Sequence, residues 1–333
     1  MNDFTGSTSV LASIIKDEFS GYEVAVLSNF KYEGSLTNIW GIKKISYWAP
    51  EFRKKYIPIV TTVISRIHMF ILALWYGRHY DIFYINTFKP EYAAIVGKLY
   101  GKKIIYHIHE KYSKPNLGQR FSEYVFNHAK AKKIFVSKYV SKQYPHNPRA
   151  EYVIRYNKLS RDFVENIKIT PIKFRKRTNV LFVSSMVLQK GIDKLVPLAK
   201  ILPQFTFTVI FSSNEVDINH FFKNDIPTNL NIYPKQSDIH SFLREADVLI
   251  NLSNPDMVVE TFGMTILEAM AYGIPSVVPN IGGPTELIKD GYNGYCVDTT
   301  NIHLIADAII KTLSEEEYAR LCENAIKQYE TFK

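Results

Sequence analysis

The sequence predicts an α/β protein made of two Rossmann-like domains, each built on a parallel sheet. The chain has 333 residues, about twice the length of a typical single domain. Strand-length apolar runs alternate with helix-length segments throughout, as in parallel sheets whose strands are joined by crossover helices. A basic stretch with weak periodicity, residues 162–177, separates two such series and predicts a linker. We therefore expect two domains, residues 1–165 and 178–333, facing one another across a ligand-binding cleft.

The first domain is predicted from four strand-like runs and four helix-like segments. The strands are expected at Tyr22–Ser28, Ile82–Asn86, Lys103–His107 and Lys133–Val136, and the helices at Ser9–Phe19, Ile57–Tyr76, Tyr92–Tyr100 and Gln119–Ala129. The chain enters a predicted turn at Thr5–Ser7, which leaves almost no room for a first strand. Because that strand is central in a doubly wound sheet, either the natural start lies upstream or this domain has an incomplete sheet.

The second domain shows the same alternation from residue 179 onwards. Its strands are expected at Asn179–Val183, Phe205–Phe211, Asn231–Tyr233, Val248–Leu252 and Ser276–Val278, and its helices at Gly191–Ile201, Ile239–Glu245, Gly263–Tyr272, Pro284–Lys289, Ile302–Leu313 and Glu315–Tyr329.

Charge is distributed unevenly between the two halves. The whole chain has a net charge of +9, but residues 1–170 hold 26 Lys and Arg against 13 Asp and Glu. A basic domain attracts phosphates, nucleic acid or an anionic membrane. Surface lysines kept for solubility are the simpler alternative.

Targeting signals are weak. No signal peptide is visible, and Cys296 and Cys322 stand in no disulfide or metal-ligand spacing, so we expect a cytoplasmic protein. The run Ile57–Tyr76 is long enough to span a bilayer, but Arg66 and His68 lie at its centre, where an ion is costly. We expect a buried or amphipathic helix there, with peripheral contact to the inner membrane face left open.

The most informative segment is Asp256–Pro275. A tight loop, Thr261–Gly263, follows a predicted strand and opens a helix, so the backbone amides of Gly263, Met264 and Thr265 would point at a bound phosphate. Glu260 and Glu268 flank this cradle, and two carboxylates there suit recognition of sugar and ribose hydroxyls. A capping box formed by Thr265 and Glu268 is the structural alternative for the second acid.

The spacing Glu260-x7-Glu268 closely resembles the E-x7-E signature of the retaining glycosyltransferases of family four, which have the GT-B fold. The segments Gly282–Ile288 and Gly291–Tyr295 match the same family's pattern and order. The resemblance covers the second half of the chain. In the first half it is looser, and rests on Gly6 with Ser7 and on His109 with Glu110.

The resemblance implies a role for each donor-site residue. Glu268 would accept hydrogen bonds from the ribose hydroxyls, and Glu260 would hold hydroxyls of the transferred sugar. The loop residues Thr261, Phe262, Gly263, Met264 and Thr265 would receive the diphosphate through their backbone amides. Lys190 would neutralise the leaving diphosphate; a solvated lysine before a helix is the alternative.

One position departs from the family pattern. Ser185 stands where the family usually has an arginine, and a serine hydroxyl cannot replace a bidentate cation at a diphosphate. Either Lys190 and the helix N-terminus suffice, or another cation such as Lys235 or Arg244 reaches the site.

In the first domain, the resemblance places Gly6 and Ser7 in a loop that binds the acceptor, and His109 over the cleft, in contact with the donor sugar. A histidine at a strand end is more often structural, so both readings stay open for His109. If both residues are extended, we expect His107 to point to the opposite face of its strand from His109.

The implied reaction is transfer of a sugar from a nucleoside diphosphate to an acceptor hydroxyl with retention. No metal and no cofactor are expected, and the acceptor would be a glycan or a lipid-linked glycan in polysaccharide or glycolipid synthesis. Two other classes remain: a sugar-nucleotide epimerase, and a non-catalytic or truncated nucleotide-sugar-binding protein. A dehydrogenase is disfavoured because no G-x-G-x-x-G follows a strand, and nucleic-acid binding leaves Glu260 and Glu268 unexplained.

Overall fold

A computed structural model describes residues 6–31, 33–48, 58–110, 116–168, 176–222 and 226–333. The chain divides into two compact units, Met1–Tyr156 and Asn157–Lys333. The boundary falls before the predicted linker, and the described part of that linker belongs to the second unit. There Ser160 caps a short helix by accepting a hydrogen bond from the amide of Phe163.

The first unit contains parallel strands in two separate sheets. One pairs β1 (Ala25–Ser28) with β2 (Lys43–Ser46), and the other has the order β3-β4-β5-β6. The remaining elements, in chain order, are α1 (Gly6–Glu18), α2 (Pro58–Gly77), β3 (Ile82–Ile85), α3 (Glu91–Leu99), β4 (Lys103–Ile108), α4 (Leu117–His128), β5 (Lys132–Phe135), α5 (Lys138–Lys142) and β6 (Glu151–Ile154). The predicted lack of a first strand falls on Met1–Thr5, outside the described residues.

The second unit is one six-stranded parallel sheet with the order β12-β11-β10-β7-β8-β9. Its strands are β7 (Asn179–Ser184), β8 (Thr206–Phe211), β9 (Leu230–Tyr233), β10 (Val248–Ile250), β11 (Ser276–Pro279) and β12 (Gly294–Val297). Its helices are α6 (Arg161–Glu165), α7 (Leu195–Ile201), α8 (Glu215–Phe222), α9 (His240–Glu245), α10 (Met264–Ala271), α11 (Pro284–Leu287), α12 (Ile302–Thr312) and α13 (Glu315–Glu330), with 3₁₀ turns at Leu188–Lys190 and Ile192–Lys194.

Burial on both faces explains why the central strands of the second unit are continuous apolar runs. Every residue of β10 and β11 is buried, as expected for a parallel sheet covered by helices on both sides. One large core joins β7, β8 and β10 to α7, α12 and α13, and includes Phe182, Phe207, Leu195, Ile309 and Leu321.

The long apolar run of the first half forms α2. No helix among the described residues has both the length and the hydropathy needed to cross a membrane. Arg66, expected to be costly in a bilayer, instead lies 3.5 Å from the carboxylate of Glu91 on α3. Side chains of α2 also pack on α3, where the Tyr92 hydroxyl lies 3.2 Å from the Met69 sulfur.

Candidate donor site

The order of strands in the second unit locates a crevice. Strands β8 and β9 follow on one side of β7, whereas β10, β11 and β12 follow on the other. The connections after β7 and β10 therefore diverge at the carboxyl edge of the sheet, which is where open α/β sheets bind ligands. Lys190 lies after β7, and Glu260 and Gly263 lie after β10, so the topology brings these predicted site residues to one edge.

Lys190 and Glu260 are in direct contact. The Lys190 ammonium forms an ion pair and a hydrogen bond with Oε2 of Glu260. The loops that carry them are also joined through the backbone, because the Asn254 amide donates to the Gln189 carbonyl at 2.9 Å. A Cβ on Gly191, whose φ is +73°, would lie 2.1 Å from the Leu252 carbonyl oxygen. Only glycine lets the two loops approach this closely.

Helix α10 begins with free backbone amides. Its N-cap is Gly263, with φ of +107°, and no side chain among the described residues caps the helix. The amides of Gly263, Met264 and Thr265 donate to no described residue, while those of Ile266 and Leu267 already bond to the Gly263 carbonyl. Three free donors at a helix N-terminus favour an anion. The predicted phosphate cradle therefore has the geometry that its chemistry requires.

Glu268 does not cap this helix. The capping-box interpretation is wrong, because Gly263 occupies the N-cap and Thr265 lies inside the first turn. Within the described part of the chain, the Glu268 carboxylate makes no hydrogen bond and no ion pair. Burial raises the pKa of this carboxyl to about 7. Glu268 is partly buried, and its carboxyl group is open to hydrogen bonds from the hydroxyls of a ligand.

The Gly282–Gly283 pair supports the Glu260 loop from behind. The Gly283 amide donates to the Glu260 carbonyl at 2.8 Å. A Cβ on Gly283 would lie 2.2 Å from the Thr261 carbonyl oxygen, and one on Gly282 would lie 2.5 Å from that of Glu260. These contacts explain the two glycines without any role in ligand contact, since a larger residue would displace the loop.

Arg244, one of the two cations that could replace the family arginine at the position of Ser185, lies away from the phosphate cradle. Arg244 hydrogen-bonds Tyr272 at the far end of α10 and lines a cavity of about 560 Å³ with Lys168 and His240. That end lies about 12 Å from Gly263 at 1.5 Å per residue over eight residues. The Arg244 interpretation is therefore wrong. Lys235 follows β9 at the carboxyl edge, its amide donating to the Ser213 carbonyl at 3.0 Å, and remains the candidate.

The first unit gathers a second group of predicted residues. His109 follows β4 and is 8% exposed, and its Nε2 lies 3.0 Å from Oδ1 of Asn86. Asn86 in turn donates to the Ser7 carbonyl at 3.0 Å. This contact connects the predicted acceptor residues to His109. Gly6 and Ser7 themselves lie in the first turn of α1 rather than in a turn or loop.

The interpretation of His107 is wrong. Its ring centroid lies only 4.2 Å from that of His109, so both side chains are on the same face. The physical reason is the two-residue period of a strand, in which positions i and i+2 share a face. Asn86, Tyr84 and Arg155, which surround this pair, were not singled out from the sequence, since no local pattern marks them.

No cluster of three or more His, Cys, Asp or Glu side chains suited to a metal ion occurs in the ranges described above. The expectation that no metal is required stays a prediction.

Comparison with known proteins now places the chain. Residues 164–329 match the model of the family described as glycosyl transferases group 1. An uncharacterised glycosyltransferase of Methanocaldococcus jannaschii is 28% identical over 203 residues, 60% of this chain and 54% of that protein. Sucrose-phosphate synthase 4 of Arabidopsis thaliana is 34% identical over 104 residues, 30% of this chain and 10% of that protein. The alignments thus span about half or less of these curated relatives.

Solved structures give the fold over the whole length. HepE of Anabaena, in complex with UDP and glucose, has a TM-score of 0.76 at 18% identity and covers 98% of this chain and 92% of its own. A sucrose-phosphate synthase from Thermosynechococcus elongatus has a TM-score of 0.70 at 15% identity and covers 98% and 88%.

Two parallel-sheet units, with a phosphate cradle at the switch point of the second, give the GT-B fold that these solved structures share. Residues 164–329, which make up nearly all of the second unit, belong to the glycosyl transferases group 1 family. The predicted fold class and the predicted resemblance to family four are confirmed.

Proposed function

We propose that this protein transfers a sugar from a uridine-diphosphate sugar to an acceptor hydroxyl, with retention at the anomeric carbon. The observation that carries the proposal is the convergence of four features at one sheet edge: Lys190, Glu260, the first amides of α10 and the carboxylate of Glu268, the last two without partners among the residues that the structure describes. The complexes of HepE with UDP and with UDP-glucose support the choice of nucleotide.

Each group has one task in this proposal. The α10 amides and Lys190 hold the diphosphate, and they stabilise the charge that develops as it leaves. Glu268 accepts the ribose hydroxyls. Glu260 holds hydroxyls of the transferred sugar while its other contact orients the Lys190 ammonium. No covalent nucleophile is assigned, because Glu260 already serves the sugar and the lysine.

A screen of donors tests the proposal. Thermal stabilisation by UDP-, GDP- and dTDP-sugars is measured for the wild type, for Glu268→Ala and for Glu316→Ala, a control on the exposed start of α13. We expect one donor class to stabilise the wild type and the control but not Glu268→Ala, with slow release of the diphosphate. Binding without release would instead indicate a binding protein, and conversion of the donor without an acceptor would indicate an epimerase.

Retention requires a separate measurement. The anomeric configuration of the first-formed product is read by proton NMR and compared with that of the donor. An unchanged configuration supports retention, and an inverted one overturns it without affecting the assignment of the donor site.

For the acceptor, we propose a glycan carried at an anionic membrane, approached through a face of the first unit that we call the α2–α4 face. Three helices that pack side by side display apolar rows to solvent on this face. The Arg66–Glu91 pair and a 2.7 Å hydrogen bond from Ser122 to Glu91 hold the three helices together. The exposed apolar side chains are Ile64, Ile67, Ile71 and Trp75 on α2, Ile95 and Leu99 on α3, and Leu117, Phe121 and Tyr124 on α4.

Charge selects the partner of this face. Helix α2 carries no acidic residue, and Glu91 on α3 is buried. Basic side chains border the apolar rows, among them Lys98, Arg120 and Arg78, whose guanidinium lies 4.9 Å from the ring of Trp75. Apolar side chains beside cations favour an anionic lipid surface. Two copies of the same basic face would repel one another.

Sedimentation with vesicles tests this location. Phosphatidylglycerol and phosphatidylcholine vesicles are compared at low salt, using the wild type, Ile71→Glu and Val216→Glu, a matched change at an exposed site on α8. We expect only the anionic vesicles to bind, and only Ile71→Glu to lose binding. Equal behaviour of the two variants, or no binding by the wild type, would overturn the proposal, as would a dimer that Ile71→Glu dissociates.

A further inference from the structure

Two hydrogen-bond chains meet at the histidine pair of the first unit, and the end of the first chain fixes its direction. The first chain ends at the Ser7 carbonyl, which lies 3.0 Å from Nδ2 of Asn86. A carbonyl only accepts, so the amide nitrogen donates there, and Oδ1 of Asn86 is turned towards His109. That oxygen lies 3.0 Å from Nε2 of His109. Since it also only accepts, Nε2 of His109 carries the proton.

The charge state of His109 completes its description. Burial and then the nearby Arg155 charge lower the pKa of His109 to about 3, so the ring is neutral at any working pH. A neutral imidazole has one protonated nitrogen. With the proton on Nε2, Nδ1 of His109 has a free lone pair, and it has no hydrogen-bond partner in the described part of the first unit.

The second chain begins at Arg155, which donates to Glu18 at 2.8 Å and also hydrogen-bonds Tyr84. An arginine only donates, so the Tyr84 oxygen accepts from it, and the same hydroxyl lies 2.8 Å from Nδ1 of His107. Burial, then His109 and Arg155, lower the pKa of His107 to about 2. His107 is therefore a second neutral ring, packed on His109.

We propose that Asn86 is a positioning residue that holds His109 in the Nε2–H tautomer, so that Nδ1 accepts a hydrogen bond from a hydroxyl of a substrate sugar. The inference rests on the proposed function. The opposite tautomer would present an N–H to that hydroxyl and would place the Nε2 lone pair against the Asn86 oxygen. The hydroxyl belongs either to the donor sugar or to the acceptor, and binding experiments separate the two.

The tautomer can be observed directly, without substrate. Long-range ¹⁵N–¹H correlation spectra of the histidine rings are recorded for the wild type, with His109→Gln used to assign the signals. Three variants are compared: Asn86→Leu removes the acceptor, Asn86→Asp keeps an acceptor, and Tyr84→Phe breaks only the chain to His107. We expect a protonated Nε2 in the wild type, in Asn86→Asp and in Tyr84→Phe, and a mixture of tautomers in Asn86→Leu.

Affinity then identifies the substrate. Calorimetric titrations with UDP and with UDP-glucose are compared for the wild type and Asn86→Leu. If the hydroxyl belongs to the donor sugar, Asn86→Leu weakens UDP-glucose binding about tenfold, the size expected for one hydrogen bond, and leaves UDP binding unchanged. If it belongs to the acceptor, both titrations match the wild type and the loss appears in the KM for the acceptor. Asn86→Asp should restore most of either loss.

The result that overturns the inference is a wild-type His109 with its proton on Nδ1, or an Asn86→Leu protein whose His109 keeps the wild-type tautomer. Failure of the proposed function would look different, since no nucleotide would then bind the wild type, whatever the tautomer of His109.

Discussion

Lys190 and Glu260, 70 residues apart in the chain, form an ion pair at the carboxyl edge of the second sheet. The Lys190 ammonium is paired with a carboxylate that lies beside the proposed diphosphate site. Its charge is therefore partly neutralised before ligand binds, and the same carboxylate would repel a phosphate. The pair predicts opposite effects of changing its two members.

Glu260→Gln should bind UDP more tightly than the wild type, because Lys190 is released and a negative charge is removed. Lys190→Met should bind UDP more weakly and lose on the order of 10²–10³-fold in turnover, the size seen when one group that stabilises a leaving charge is removed. Calorimetry with UDP and a donor-release assay measure both. Weaker UDP binding in Glu260→Gln would contradict the role given to the pair.

Glu268 should make stability depend on pH. Its pKa is raised to about 7 by burial, so between about pH 4.5 and 7 the folded state holds a proton that the unfolded state has lost. Stability attributable to this group is therefore fully present below about pH 4.5 and is lost as the pH rises from there to about 7. Glu268→Gln should melt above the wild type at pH 8 and level with it at about pH 4, in thermal melts without nucleotide. A difference in melting temperature between Glu268→Gln and the wild type that does not change with pH would contradict the raised pKa of Glu268.

Gly282→Ala should destabilise the donor site by much more than the cost of placing an alanine at the positive φ of Gly282. The control is Gly291→Ala. Both glycines have positive φ, +93° and +68°, but a Cβ on Gly282 meets the Glu260 carbonyl at 2.5 Å, whereas one on Gly291 meets nothing within 4 Å. We expect Gly291→Ala to cost about 1 kcal/mol and Gly282→Ala to cost more and to abolish UDP binding. Equal effects of the two changes on UDP binding would show that the close contact does not matter.

Lys133 should make the stability of the first unit depend on pH, because the pKa of its ammonium is lowered. Its side chain is buried, with its ammonium 4.4 Å from the ring of Phe126, and burial lowers its pKa to about 8. Between about pH 8 and 10.5 the unfolded state holds more protons, so stability should rise with pH. The wild type should therefore gain roughly 2 kcal/mol relative to Lys133→Met over that window, as measured by chemical unfolding. A difference in the free energy of unfolding between the wild type and Lys133→Met that stays constant over this pH range would contradict the lowered pKa of Lys133.

Buried strands have strong local patterns, and these patterns predicted most of the strands. The strands that no pattern predicted, β2, β6 and β12, each lie at an edge of their sheet. An edge strand has one unpaired side and is less apolar. In β2, for example, only Ile45 is buried, so the hydrophobic period gave no signal.

The donor site could be predicted for a related reason. A phosphate cradle depends on neighbouring backbone amides, and Gly263 to Thr265 supply them within one stretch of chain. The sequence by itself therefore determined the two-unit α/β class, the helix N-terminus and the acids Glu260 and Glu268.

Only the tertiary structure decided which distant groups meet. The fold pairs Lys190 with Glu260 and links His109 through Asn86 to Ser7. It also excludes a capping box between Thr265 and Glu268, because Gly263 is the N-cap of α10. Arg244 lies at the opposite end of that helix from Gly263. Periodicity and propensity are set by a few consecutive residues. Contacts between residues far apart in the chain depend instead on strand order and loop packing, which no local stretch of sequence contains.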